Sequence, residues 1–425
     1  MSAVTVLGML SGTSIDAIDT ALVRFTRDVD DPTLLHAQVL AVDEQPWPAD
    51  LRRDLLAALP PGSVGPAELL RLHTRAGDAF GAAAAHALRR AGHSTGGSPG
   101  TRAGDGSGPR VDLIVSHGQT IFHGVDQTGT AWGTLQIGDP TRVAAATATP
   151  VLADLRAADI AAGGQGAPLV PLLDQLVLGD QPTAVLNIGG ISNVSIVGTG
   201  DVIAGDTGPG NALLDAAVHR ASGGRDHIDR DGRLARAGRV DQVLLDRLLA
   251  DPYYALPFPR STGKELFTAG YVDTLAPGHG LSLEDLAATL TELTARTIAD
   301  AITRLGADRG LTRVVGSGGG MRNRVLRERL AELLDPLPLV DADAVGLPSD
   351  AKEAILMALI GWMSAQRLPG VPARADGTAV TGAVRPVILG SLTPEPSGIA
   401  PLTWRDGRGP VRRAVVRGPA NQEDA

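Results

Sequence analysis

An apolar run, a turn of small residues and a returning apolar run occur twice in this chain, about half its length apart. Val4 to Leu10 leads through Ser11-Gly12-Thr13-Ser14 to Thr20–Phe25, and Ala184 to Ile188 leads through Gly189-Gly190 to Ile191–Val197. Each reads as two buried strands joined over a tight turn. Two such hairpins suggest two related domains, each opening on the same device. A length of 425 residues agrees, because single hydrophobic cores stop growing well below it.

Strands alternate with helical stretches along the rest of the chain. Val111–Val115, Pro150–Leu152 and Arg313–Val315 read as short buried strands. Leu283–Leu305 carries apolar residues at helical spacing, and Ala351–Met363 reads as a largely buried helix. The alternation predicts an α/β class with covered sheets. A Gly-, Ser- and Thr-rich stretch over 92–110 reads as a flexible surface insert. The expected division is a first domain over 1–182, a second over 183–365 and a C-terminal segment over 366–425. That segment is expected to pack back on the first domain, with a flexible end and a solvated basic stretch from Arg405 to Arg417.

Composition excludes several classes. There is no cysteine, so disulfides, thiolate metal sites and cysteine nucleophiles are out. The net charge of −9, with no long basic run, argues against a nucleic-acid surface. No apolar run is long enough for a membrane span, and the N-terminus lacks the positive region of a signal peptide. A cytoplasmic protein is expected. Of the 38 basic residues only Lys264 and Lys352 are lysine, either because a compact ammonium is needed there or through codon bias.

Glycine gathers in three loops that follow apolar strands. The first runs from Gly8 through Gly12-Thr13-Ser14-Ile15-Asp16, where glycine backbone and hydroxyls suit an anion and Asp16 and Asp19 suit Mg²⁺. The same composition also makes an ordinary turn. The second, Gly205-Asp206-Thr207-Gly208-Pro209-Gly210-Asn211, leads into an apolar helix, a ready phosphate site. Ionised Asp206 cannot donate to phosphate there, which leaves proton acceptor, metal ligand or simple turn residue as its roles. The third, Gly316-Ser317-Gly318-Gly319-Gly320, offers a flat surface to a base or ribose. It lacks the dinucleotide fingerprint, and Gly263-Lys264-Glu265 is not a Walker A loop. Ser116-His117-Gly118 lacks the nucleophile elbow of a hydrolase. Three separated glycine loops, two of them with aspartates, suit a nucleotide held between two lobes.

The motifs carry a resemblance. Gly12–Asp19, Ser116-His117-Gly118-Gln119-Thr120, Leu135–Pro140, Asp159–Pro171, Leu186–Gly190, Asp206–Asn211, Ser261–Phe267, Gly318–Gly320 and Asp350–Ala354 occur in this order. Together they resemble the anhydro-N-acetylmuramic acid kinases, from residue 8 to about 390. The sequence departs from that family's pattern at Leu10, where Met is usual, at Ala17 for Gly and at Asp174 for His.

The resemblance implies two actin-like (RNase H-like) domains around a nucleotide-binding cleft. It implies an ATP- and Mg²⁺-dependent phosphotransferase with an alcohol group of a sugar as acceptor, a homodimer serving cell-wall recycling. Water would open the 1,6-anhydro ring with Asp206 as general base while O6 takes the γ-phosphate. Nucleotide contacts would come from Gly12, Thr13, Ser14, Ile15, Asp16, Ala17, Ile18, Asp19, Gly189, Gly190, Gly208, Gly210, Gly318, Gly319 and Gly320. Sugar contacts would come from Gln119, Arg156, Asp159, Gln165 and Glu353, with Arg156 either clamping the lactyl carboxylate or pairing with Asp154 or Asp159. Rival readings are an actin-like kinase for another sugar and an inactive nucleotide-binding sensor. A sugar-responsive repressor would need a basic helix-turn-helix extension, which is not visible.

Overall fold

The computed structural model describes residues 3–12, 14–60, 62–94, 109–126, 129–258, 260, 262, 266–267, 270–275, 280–397 and 408–418. Thr13, Ser261, Gly263–Glu265 and most of the 92–110 insert lie outside these residues. The early strands are β1 (Val4–Ser11), β2 (Ala17–Arg27), β3 (Leu34–Pro46), β4 (Leu113–Val125), β5 (Ala131–Ile137) and β6 (Val151–Ala153). The middle of the chain gives β7 (Thr183–Ile188), β8 (Ile191–Val197), β9 (Ile203–Pro209), β10 (Arg313–Ser317) and β11 (Leu339–Asp341). The end gives β12 (Ser391–Thr393) and β13 (Arg413–Arg417).

These strands build two sheets with one plan. In the first, β1, β2 and β3 form an antiparallel meander, and β4 and then β6 add in parallel on the other side of β1. In the second, β7, β8 and β9 form the meander, and β10 and β11 add in parallel beside β7. The repeated strand order is that of two actin-like (RNase H-like) domains, and the two hairpins read from the sequence are β1–β2 and β7–β8. The first strand of each meander is buried on both faces: every residue of β1, and every residue of β7 but Asn187. Helices cover the sheets, as a fully buried strand requires.

The chain divides into two compact units, Met1–Val177 with Asp350–Ala425, and Leu178–Ser349. The helix Lys352–Ala365 therefore stands with the first unit, not with the second as its place in the sequence suggested. It is apolar on nearly every side, with only Glu353 exposed. It lies directly on β1 because Gly8 has no side chain: a Cβ there would fall 2.1 Å from the Ala354 carbonyl and 2.4 Å from the Ala358 nitrogen. Gly8 thus serves packing rather than a phosphate loop.

Two further expectations change. Strand β2 begins at Ala17, so Ala17, Ile18 and Asp19 pair with Pro46, Gln45 and Glu44 instead of continuing the loop. Ile15 and Ile18 are buried in the core, which is where apolar side chains flanking a short turn go. The basic stretch near the end is not all solvated: Arg413–Arg417 joins β3 in parallel, with Ala414 and Val416 buried between exposed neighbours. Among the described residues no helix is long and apolar enough to cross a membrane.

Candidate active site

In the first unit, the β1–β2 turn is tightened by an Ile15 N–H to Gly12 O bond of 3.1 Å, with Ile15 at φ 53°. Arg52 braces it from outside, donating Nε to Ile15 O at 2.7 Å and Nη2 to the Asp16 carboxylate at 2.8 Å. Gln119, fully buried on β4, donates Nε2 to the Gly12 and Thr120 carbonyls, and its Oε1 has no hydrogen-bond partner. Burial and the neighbouring charges of Glu44, Glu353, Asp16 and Asp350 push the Asp19 carboxyl up to about 6. A carboxyl crowded by other acids is the kind of hard-oxygen donor Mg²⁺ takes, and the unpartnered amide oxygen of Gln119 on β4 is another.

A second cluster in this unit centres on Arg156. Its Nε donates to His117 Nε2 at 2.8 Å and its Nη1 to Gly166 O at 2.6 Å. His117 completes its own bonding through Nδ1 to Gly118 O at 3.1 Å. Burial, helped by the Arg156 charge, holds the imidazole down to about 3, so it stays neutral. Among the described residues no carboxylate pairs with Arg156, so a structural ion pair with Asp154 or Asp159 is not formed. Asp159 is spent otherwise: one oxygen accepts from Gly166 N–H at 2.7 Å and the other from the Thr381 hydroxyl at 2.6 Å, at 0% exposure. It therefore holds the 159–166 loop rather than facing a ligand. Gln165 accepts from Ala131 N–H at 3.1 Å. Glu353 reaches solvent at the start of its helix yet is closely surrounded by protein, so desolvation raises its pKa, while Arg156 and Lys352 oppose the rise. Lys352 is buried and pairs at 2.7 Å with buried Asp174.

In the second unit, Asp206 sits half-buried on β9. Its N–H donates to Arg260 O at 2.8 Å, and its Oδ2 accepts from Thr262 N–H at 2.8 Å. The turn after β9 is knitted internally. Gly210, Asn211 and Ala212 donate their amides to the carbonyls of Gly189 and Gly190, and Thr294 donates its hydroxyl to Gly210 O at 2.9 Å. Those amides are not free for phosphate, contrary to the expectation for this helix start. Gly208 and Gly210 also have packing reasons, lying against the Tyr254 ring and Gly189 O.

The glycines that follow β10 differ among themselves. A Cβ on Gly318 would meet Asn187 Oδ1 at 2.6 Å, and one on Gly320 would meet Ile188 Cγ2 at 2.2 Å. Gly319 has nothing within 4 Å, while at Gly189 the nearest atom is at 3.4 Å and at Gly12 it is at 3.8 Å. These three have negative φ and no internal steric need for glycine, which suits close approach by a ligand.

The sequence profile for anhydro-N-acetylmuramic acid kinase matches residues 4–395. A protein of that name from Streptomyces avermitilis is 46% identical over 96% of this chain and 98% of its own length. Its namesake from Streptomyces coelicolor is 44% identical over 95% of this chain and 100% of its own, and that from Rhodococcus erythropolis is 42% identical over 94% and 96%.

The chain belongs to the anhydro-N-acetylmuramic acid kinase family.

As a member of that family it is a kinase, and the geometry sorts the residues its motifs supplied. The structure brings Arg156, Gln165 and Asp159 to one loop system, and it gathers Asp16 and Asp19 with Glu353 in one acidic neighbourhood. Ile15 and Ile18 bury their side chains, and Ala17 lies in a paired strand, so these three offer at most backbone atoms. Ser14 is exposed at the turn. Arg52, Tyr253, Arg260 and Thr381, which the sequence did not single out, hydrogen-bond to the candidate residues Asp16, Asp206 and Asp159. The one available signal was Arg260, directly before the Ser261–Phe267 motif.

Proposed function

We propose that this kinase converts 1,6-anhydro-N-acetylmuramic acid, water and ATP to N-acetylmuramic acid 6-phosphate and ADP, a step of cell-wall recycling. Gly189 and Gly319 take the nucleotide, Asp206 is the base, and Arg156 recognises the sugar. The observation that carries the reading is the fixing of Asp206. Its carboxylate takes one backbone donor at Oδ2, and its peptide is bonded on the N–H side to the same segment. A carboxylate so held is suited to accept a proton from water in one geometry.

In the step, Asp206 takes a proton from water as the water oxygen bonds to C1. The C1–O6 bond breaks, O6 bonds to the γ-phosphorus, and the bond from that phosphorus to the ADP oxygen breaks. The proton on Asp206 is then lost to solvent. Arg156, fixed at Nε and Nη1, directs its remaining edge to the lactyl carboxylate, with Gln119, Gln165 and Glu353 as further polar contacts. Asp19 and Gln119 are the residues that would hold Mg²⁺, which when bound would supply charge neutralisation on the phosphate oxygens.

The test is ADP release with Mg-ATP, with and without the anhydro-sugar, in water labelled with oxygen-18. Sugar-dependent ADP with the label on C1 and none in the phosphate is expected. Asp206→Asn should lower turnover about 10²–10⁴-fold while nucleotide still binds. Label in the phosphate, or turnover without the sugar, would overturn the reading.

A further inference from the structure

Arg260 is 9% exposed and lies between two rings, its guanidinium carbon 4.8 Å from the Tyr253 centroid and 4.4 Å from that of Phe258. Such a buried cation normally faces a carboxylate. Among the described residues none pairs with it, and its donors go to carbonyls instead. Nε donates to Asp206 O at 3.1 Å, and Nη1 to Tyr253 O at 3.1 Å, Tyr254 O at 2.8 Å and Leu256 O at 3.2 Å. Nη2 makes a long contact of 3.4 Å to Thr207 O. The Tyr253 hydroxyl donates to the same Asp206 carbonyl at 2.9 Å.

Asp206 is thereby gripped on every side from one segment. The Arg260 carbonyl takes its N–H, the Arg260 side chain and Tyr253 take its C=O, and Thr262 N–H takes its carboxylate. The planar fork of guanidinium is what lets one side chain span these separate carbonyls; an ammonium concentrates its donors at a point. We propose that Arg260, assisted by the Tyr253 hydroxyl, is a positioning residue that aims the Asp206 carboxylate. This rests on the reading of Asp206 as the base.

The experiment compares Arg260→Lys, Tyr253→Phe and Asp206→Asn, with kcat, both KM values and thermal midpoints for each. Misaiming a base acts on the chemical step, so kcat should fall about 10–100-fold in Arg260→Lys and about 3–10-fold in Tyr253→Phe, with each KM within about two-fold of the parent. A merely structural role would instead lower the thermal midpoint and leave kcat per folded molecule at the parent value, which overturns the inference. If Arg260→Lys does not fold, Tyr253→Phe decides, because it removes one hydroxyl and no charge. If Asp206→Asn stays active, the base assignment falls and this inference with it. If Asp206→Asn is inactive while the other two match the parent, only the positioning role falls.

Discussion

Arg156 Nε and His117 Nε2 are 2.8 Å apart, and the hydrogen bond between them can run only from the guanidinium to a neutral ring. Because Nδ1 is committed to Gly118 O, the tautomer is fixed with its proton on that nitrogen. His117 Nε2 therefore acts as an acceptor that sets the plane of Arg156, and Gly166 O sets its rotation about that bond. A cation oriented twice over by neutral acceptors keeps its charge available for an anion.

His117→Phe should accordingly raise KM for the sugar by about ten-fold, with kcat less affected, since the Arg156 donor is left unsatisfied at a cost of about 1–3 kcal/mol. The pH dependence has a definite sign. Between 6.5 and about 3 the unfolded chain protonates His117 and the folded chain does not. Stability from this group is complete above 6.5 and lost as pH falls through that window. Urea unfolding should show the parent losing about 2 kcal/mol from this group between pH ~7.5 and pH ~5, a loss absent from the variant.

The glycines of the third loop separate nucleotide binding from folding. Gly319→Val should fold normally and weaken ATP binding by about ten-fold or more, or 1.4 kcal/mol. Gly320→Ala should lose about 1–3 kcal/mol of stability, because its methyl collides with Ile188. Calorimetric titration with ATP and chemical unfolding read the two effects; equal loss of binding in both variants with equal stability would refute the distinction.

Lys352 and Asp174 form a buried pair where the chain leaves and re-enters the first unit, near Val177 and Asp350. Lys352→Met should cost about 3–5 kcal/mol by stranding the Asp174 carboxylate, and adding Asp174→Leu should restore most of it. Denaturant curves for single and double variants check this. The pair also accounts for one of the two lysines that the composition singled out.

Asp19 behaves oppositely to a salt-bridged aspartate. Its folded pKa, about 6, lies above the 3.8 of a free carboxyl. Its charge thus destabilises the fold above about 6, and this cost disappears as pH falls through 6 toward 3.8. Asp19→Asn should raise stability at pH ~7.5 by about 1–2 kcal/mol once solvent screening is allowed for, with no gain near pH ~4. The same variant should need more Mg²⁺ for half-maximal rate.

What the sequence revealed follows from what its patterns encode. Unbroken apolar runs ending in small residues marked both hairpins, because a strand buried on two faces leaves no other signature. Strand β2 starts earlier than read because Asp19 sits in a paired position that its charge disguises. Arg413–Arg417 looked solvated because its short apolar core, Ala414 to Val416, is flanked by arginines, and only Ala414 and Val416 of it turn inward. Residue types near the site were legible, but their directions were not. Asp159 turned inward to Gly166 and Thr381, and the latter lies 222 positions away in sequence. Nor does any local pattern announce that Arg260 reaches Asp206, 54 positions earlier.

The helix Lys352–Ala365 also bears on how the protein is made. On the ribosome, β1, β2 and β4 emerge long before the helix that covers them, whereas Leu178–Ser349 is contiguous and can complete its sheet as soon as it is out. Until the helix arrives, an all-apolar face of the first sheet stays uncovered, the kind of surface that recruits chaperones or aggregates. Chains cut short after residue 349 are therefore expected to keep a folded middle and an insoluble beginning.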